Sequence, residues 1–200
     1  MPARSSPASR KSSSEERILD AADSCFTYYG IAKTTMEDVA SAADISRATL
    51  YRTFSDRESL LVALIRRRAR MNMARNRDRI MALGSLTDRM VEGISRNVRV
   101  GHRDPLMRSL VSPEQMALAN DLLSATGLAT ELTREFWEPI LLAARDAGEI
   151  RPDVDMVGLC EWISRVETML IVQLADTPDD EKRIRRLVAD FVVPAVATAA

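Results

Sequence analysis

The chain has 200 residues, 46% of them hydrophobic and 28% charged, with a net charge of −1. That is the make-up of an ordinary globular protein, with chain enough for one domain or a fused pair, and not of a wholly basic nucleic-acid binder. One histidine (His102) and two cysteines (Cys25, Cys160) exclude zinc fingers, haem-attachment motifs and a disulfide framework.

Residues 1–13 hold Pro, Ser, Arg and Lys but no apolar segment. They read as a disordered tail rather than a leader. Helical signals then follow one another to the end of the chain. Ser12 or Ser13 with Glu15 or Glu16 forms a capping box, Ile18, Ala22, Cys25, Phe26 and Tyr29 recur at helical spacing, and Gly30 stops the helix. Thr34 with Glu37 predicts a second box, ahead of Met36, Val39 and Ala40 on one face. Ala43-Asp44-Ile45 breaks the pattern. Ser46 then caps a short helix carrying Leu50 and Tyr51, and Ser55 with Glu58 opens a long one.

Beyond residue 80 the period continues. Met90, Ile94 and Val98 mark a helix closed by Gly101. A short helix spans 104–111, another 114–125, and a long one 128–147 with Pro139 inside it, where a kink is expected. The last two run from 155 to 175 and from 179 to 197. No stretch alternates with the two-residue period of a strand, and no internal repeat is visible. No apolar run approaches the ~20 residues of a membrane span, and a reduced, cytoplasmic setting is expected.

Charge is uneven. Residues 1–80 hold 15 Lys+Arg against 10 Asp+Glu, a net of +5, while residues 81–200 hold 13 against 19, a net of −6. A basic front and an acidic rear fit a chain whose first part meets a polyanion. The elements at 34–53 have the build of a helix-turn-helix: Met36, Val39, Ala40, Ile45 and Leu50 hold two short helices together. Ser46, Arg47, Ala48, Thr49, Tyr51, Arg52 and Thr53 face outward on the second. Such a helix enters the ~12 Å major groove of duplex DNA. Taken singly, Arg47 and Arg52 also read as solvated charges and Tyr51 as a core residue.

The run Ile18-Leu19-Asp20-Ala21-Ala22, Phe26, Tyr29-Gly30, Thr34-Thr35-Met36-Glu37-Asp38-Val39-Ala40, Ile45 to Phe54 and Arg57-Glu58-Ser59-Leu60 resembles the DNA-binding domain of tetracycline-repressor-like regulators. The resemblance covers about fifty residues, and 147–155 is similar more weakly. It implies an all-α fold: a three-helix helix-turn-helix domain over 14–60, and a helical effector-binding and dimerisation domain over 61–200. It implies that Thr35, Tyr51 and Arg57 meet phosphates and that Arg47 and Ala48 approach base edges. Ser46, Thr49 and Arg52 complete the expected interface. Two positions depart from the pattern: Asp44 stands where the turn usually has Gly, and Thr53 where an aromatic or imidazole ring is common.

Arg66, Arg67, Arg68, Arg70, Arg75, Arg77 and Arg79 crowd the fourth helix, either as a field toward DNA or as a solvated face. In the rear half Met90, Ile94, Met107, Met116, Phe136, Trp137, Ile140, Trp162, Val166 and Met169 have the composition of an apolar effector pocket, the competing view being a filled core. Arg165, Glu167 and His102 are the candidates to orient a ligand's polar end. The stripe Ile184, Leu187, Val188, Phe191 and Val192, with Leu170 on the preceding helix, predicts a homodimer interface across a two-fold axis.

Enzyme motifs are missing: there is no G-x-S-x-G, no phosphate-cradling glycine loop and no H-E-x-x-H. Neither a cofactor nor a metal is expected. The reading is therefore a regulator bound to a double-stranded DNA operator, with itself and a small apolar effector as partners, no membrane association, and a nucleoid-associated place in the cytoplasm. The alternative is a helical protein-interaction module with weak or architectural DNA binding.

Overall fold

The computed structural model describes residues 7–174 and 177–198, with side chains from residue 14 onward. Its chain divides into two compact units, the first ending at Arg68 and the second beginning at Ala69. The sequence placed that boundary at 60/61. The difference lies in Leu61, Leu64 and Ile65, which are buried, and in Arg67 and Arg68, which bond Asp20 and Asp23 within the first unit.

The first unit comprises α1 (Pro7–Tyr29), α2 (Met36–Ala42), α3 (Arg47–Thr53) and the opening of α4 (Arg57–Met81). Residues 1–6 of the expected tail lie outside the described residues. Residues 7–13 are helical, so Ser12 and Ser13 lie inside α1 rather than at its start. A proline is compatible with that start, because the first helical residue needs no N–H partner. Ile18, Ala22, Phe26, Val39, Leu50, Leu60 and Leu64 form the core.

Two caps sit one residue later than the sequence placed them. Thr35, not Thr34, caps α2 in a reciprocal box with Asp38. Thr34 is buried, and its hydroxyl donates to the carbonyls of Gly30 (2.8 Å) and Cys25 (3.1 Å). At α4 the Ser59 N–H donates to Asp56 Oδ1 (2.7 Å) and the Asp56 N–H to Ser59 Oγ (3.3 Å), so Asp56 is the cap rather than Ser55. Each cap contributes about 1 kcal/mol by satisfying a helix-end donor.

The second unit holds the rest of α4, then α5 (Leu86–Arg103), α6 (Pro105–Leu110), α7 (Met116–Ala119), α8 (Leu128–Asp146), α9 (Met156–Gln173) and α10 (Pro178–Leu187). Wider π-turns continue α7 over Asn120–Ala125 and α10 over Val188–Val192. Among the described residues the only β-type pairing is an isolated bridge between Ile150 and Ala197. No helix in the described residues is long and apolar enough to cross a membrane. The stretch 147–155 has capping duties: Glu149 accepts from the Leu86 N–H at the start of α5, and Asp155 accepts from Val157 and Gly158 (both 3.1 Å) at the start of α9.

Helices α5, α8 and α9 pack around Trp137, which is fully buried. Gly93 makes room for its indole: a Cβ there would lie 2.3 Å from the ring. Gly101 serves in the same way and does not end α5, which runs on to Arg103; a Cβ at Gly101 would meet Ile171 at 2.7 Å. Helix α8 continues through Pro139. Proline has no N–H, so the Glu135 carbonyl four residues earlier loses its usual donor. Arg77 of α4 supplies one, Nη2 donating at 2.7 Å, while Arg70 pairs with the Glu135 carboxylate at 3.1 Å.

Glu167 lies in this core and is 8% exposed. Burial raises its carboxyl from the ordinary 4.5 to about 7, against the hydrogen bonds of Asn97 and Trp137, which lower it. A proton is thus held more tightly in the folded chain. The resulting stability is complete below about pH 4.5 and lost as pH rises through 7. Replacing Glu167 by Gln is expected to remove that slope and to raise stability at pH 8 by about 1–3 kcal/mol. Urea unfolding of both proteins at pH 5, 6.5 and 8 measures it; parallel pH dependence would refute the assignment.

Candidate nucleic-acid interface

Everything the interface can do depends on how α2 delivers the chain to α3. Asp44 adopts φ 53°, the one left-handed non-glycine residue among those described. Around it the Ile45 N–H donates to the Ala40 carbonyl (3.0 Å) and the Asp44 N–H to the Ser41 carbonyl (3.1 Å). That pair of bonds is the Schellman closure of a helix end. Asp tolerates this conformation better than most residues, so the turn forms without the glycine usual at this point. Arg17 of α1 donates to the Ala43 carbonyl at 2.9 Å and holds the turn from behind.

Helix α3 then starts at Ser46, whose Oγ accepts from the Thr49 N–H (3.2 Å) and lies 2.9 Å from Thr49 Oγ1. Leu50 and Phe54 are buried and anchor the helix. Ser46, Arg47, Ala48, Tyr51 and Arg52 are exposed, and Thr49 is half-buried. The outward surface predicted from the sequence is therefore assembled on one short helix. Tyr51 is 42% exposed and is not a core residue. The Arg47 guanidinium pairs with Glu37 of α2 and lies 6.0 Å from the Tyr51 ring centre. A base or phosphate that reaches Nη2 competes with that carboxylate, while the other N–H groups are not engaged by it.

Two expected phosphate contacts have other duties in the structure. Thr35 is exposed, but its hydroxyl caps α2 and donates to Asp38 Oδ2 at 2.7 Å. That bond and the one from the Thr35 backbone N–H hold the Asp38 carboxyl below its ordinary range. Arg57 donates to the Ile31 carbonyl, tying the start of α4 to the α1–α2 connection. Thr53, at the expected ring position, donates to the Thr49 carbonyl at 3.3 Å.

Much of the arginine row on α4 is engaged within the chain, while Arg75 and Arg79 stand exposed as a solvated face. Arg67 meets Asp20 (2.8 Å) and Glu16 (3.2 Å), Arg68 meets Asp23, and Arg70 and Arg77 meet Glu135. Sequence reasoning missed these bonds and the role of Arg17. The acidic run Glu16, Asp20 and Asp23, at near-helical spacing on α1, was the available signal.

Residues 18–64 match the family described as bacterial regulatory proteins, tetR family. The HTH-type transcriptional regulator UidR of Escherichia coli K12 is 32% identical over 142 residues, 70% of this chain and 70% of that protein. The chain belongs to the tetR family. It is a DNA-binding transcriptional regulator. The tetR-family repressor AlkX of Dietzia, implicated in biodegradation of n-alkanes, is 26% identical, with a TM-score of 0.58 over 98% of this chain and 99% of AlkX. RolR, solved with resorcinol, shares the fold with a TM-score of 0.70 at 17% identity, over 94% of this chain and 90% of RolR.

The pocket residues separate. Met90, Ile94, Phe136, Trp137, Ile140 and Val166 are buried together between α5, α8 and α9, with Phe136 and Trp137 edge to face at 5.3 Å. Met107 is half-buried. Met116, Trp162 and Met169 are exposed on the chain and line no interior. Of the three polar candidates only Glu167 is inside; Arg165 is on the surface with Glu161 (3.3 Å), and His102 is half-buried with Nε2 unpartnered.

The interface stripe needs a similar correction. Leu170, Ile184, Val188 and Val192 are buried in the chain's own core, and Leu187 is half-buried. Phe191, at 71% exposure, is the stripe's one free member. The π-turn at Val188–Val192 explains the split: its wider turns bring every fourth residue inward and leave Phe191 outside.

The turn makes a direct prediction. Asp44→Val places a β-branched side chain at positive φ and is expected to cost about 1–2 kcal/mol, whereas Asp44→Gly is expected to cost nothing. Urea denaturation of both variants is the check. Equal losses would mean that the Asp44 carboxylate, not its backbone, carries the turn.

Proposed function

We propose that this regulator is a ligand-responsive repressor that binds a near-palindromic operator as a homodimer. The observation that carries the reading is the outward face of α3, with Arg47, Tyr51 and Arg52 presented by a helix that Leu50 and Phe54 anchor. Arg47 is the candidate for bidentate contact with guanine, Ala48 approaches a thymine methyl, and Tyr51 and Arg52 meet the phosphate backbone. Two such helices related by a two-fold axis would read half-sites one DNA turn, ~34 Å, or a longer fixed distance apart.

The second subunit would cover the apolar residues that this chain leaves in solvent. Trp162 (53% exposed), Met169 and Val172 recur at helical spacing on α9, and Phe191 follows the end of α10. The effector would be a small, mainly apolar molecule held by the second unit, as the n-alkane link of AlkX and the resorcinol bound to RolR suggest. It would bind the DNA-incompetent state better by about 1–3 kcal/mol. Such a protein acts at the nucleoid, in the cytoplasm.

A gel shift against the DNA flanking its own gene, at stated salt, tests the reading. Arg47→Ala and Tyr51→Ala are each expected to cost about 1–3 kcal/mol of operator affinity and to leave the oligomeric state unchanged. Undiminished affinity in both would remove α3 from the interface. Trp162→Asp with Phe191→Asp is expected to convert a dimer into a monomer by light scattering and to abolish tight operator binding. A double variant that remains dimeric would overturn the assignment of that surface.

A further inference from the structure

Two neutral donors meet on one oxygen of Glu167. Asn97 Nδ2 of α5 donates to Oε1 at 2.9 Å, and Trp137 Nε1 of α8 donates to the same atom at 3.1 Å. Three helices thus converge on half of a carboxyl group. Among the described residues, no Lys, Arg or His pairs with Glu167 and no donor reaches Oε2.

A fastener alone would not need a carboxylate. The amide oxygen of a Gln accepts the same two bonds and brings no charge to desolvate. What Glu167 adds is a second strong acceptor able to hold negative charge where the protein supplies no cation. A buried charge without a counter-charge is unfavourable, and a well-placed cation that donates to it offsets part of that cost. The three helices that meet at it, α5, α8 and α9, bury Met90, Ile94, Phe136, Ile140 and Val166, whose side chains match a hydrocarbon body.

We infer that Oε2 of Glu167 is the polar recognition point of the effector site, and that the effector class is an apolar molecule bearing one protonated amine. The inference rests on the proposed reading of the second unit as an effector domain. The ammonium donates to Oε2 while Asn97 and Trp137 keep Oε1 in place, and the hydrocarbon lies among the apolar side chains.

Three probes with one tail separate the possibilities: octylamine, 1-octanol and octanoate, each added to the full-length protein at pH 8. Thermal unfolding and release of operator DNA are read together. Octylamine is expected to bind at least about tenfold more tightly than octanoate, as close opposite charges in a desolvated site do. In Glu167→Gln that preference is expected to fall to about the level of 1-octanol, with the response to 1-octanol retained. Octanoate binding as well as octylamine to the wild type would overturn the inference whatever the variant does. An octylamine preference that survives in Glu167→Gln would remove Glu167 and leave an apolar effector site standing. No response to any of the three would overturn that wider reading and this inference with it.

Discussion

The reversal between α2 and α3 takes four residues, Ala43 to Ser46, and the second of them, Asp44, holds a left-handed backbone without being a glycine. The orientation of α3 follows from that one conformation. The Ile45 and Asp44 N–H groups close the end of α2, Arg17 clamps the Ala43 carbonyl, and Ser46 caps α3 at once. Leu50 can then insert into the core while Arg47 and Tyr51 face out. A helix of seven residues is not stable alone, so its structure depends on the cap, the turn and the buried leucine acting together.

The all-helical class, the helix-turn-helix and the outward residues of α3 were legible in the sequence, because apolar periodicity and turn chemistry report directly on a small, self-contained unit. The capping residues were legible only to within one position. In Thr34-Thr35 both hydroxyls suit a cap, and burial of the first against Gly30 and Cys25 decides between them. At Ser55-Asp56 two capping residues again stand side by side, and the backbone geometry chooses the second. The α4 arginines were opaque for a different reason. Charge counts do not show partners distant in sequence, and their acidic partners on α1 and α8 are 45 to 65 residues away.

The second unit was read less well. An apolar stripe announces that a face is covered, but not whether the cover is the same chain, another copy or a ligand. Ile184, Val188 and Val192 proved to be covered from within, and Trp162 and Phe191 only in part. The π-turn that separates Phe191 from its stripe has no residue signature comparable to a proline or a cap. Glu167 falls between the two cases: its chemistry was visible in the sequence, but its burial beside Asn97 and Trp137 follows from the way three helices meet.

The missing N–H of Pro139 has a mechanical side. It leaves one carbonyl on α8 looking sideways, and the guanidinium of Arg77 reaches across from α4 to it. That bond works as a pin at a fixed height. Sliding α4 along α8 by a helical step would strip the carbonyl of its donor and leave a half-buried guanidinium without its acceptor, a loss of about 1–3 kcal/mol. Arg70, two turns earlier on α4, pairs with the carboxylate of the same Glu135 at 3.1 Å and adds a second hold. A proline that looks like a flaw in one element thus becomes the anchor for its neighbour.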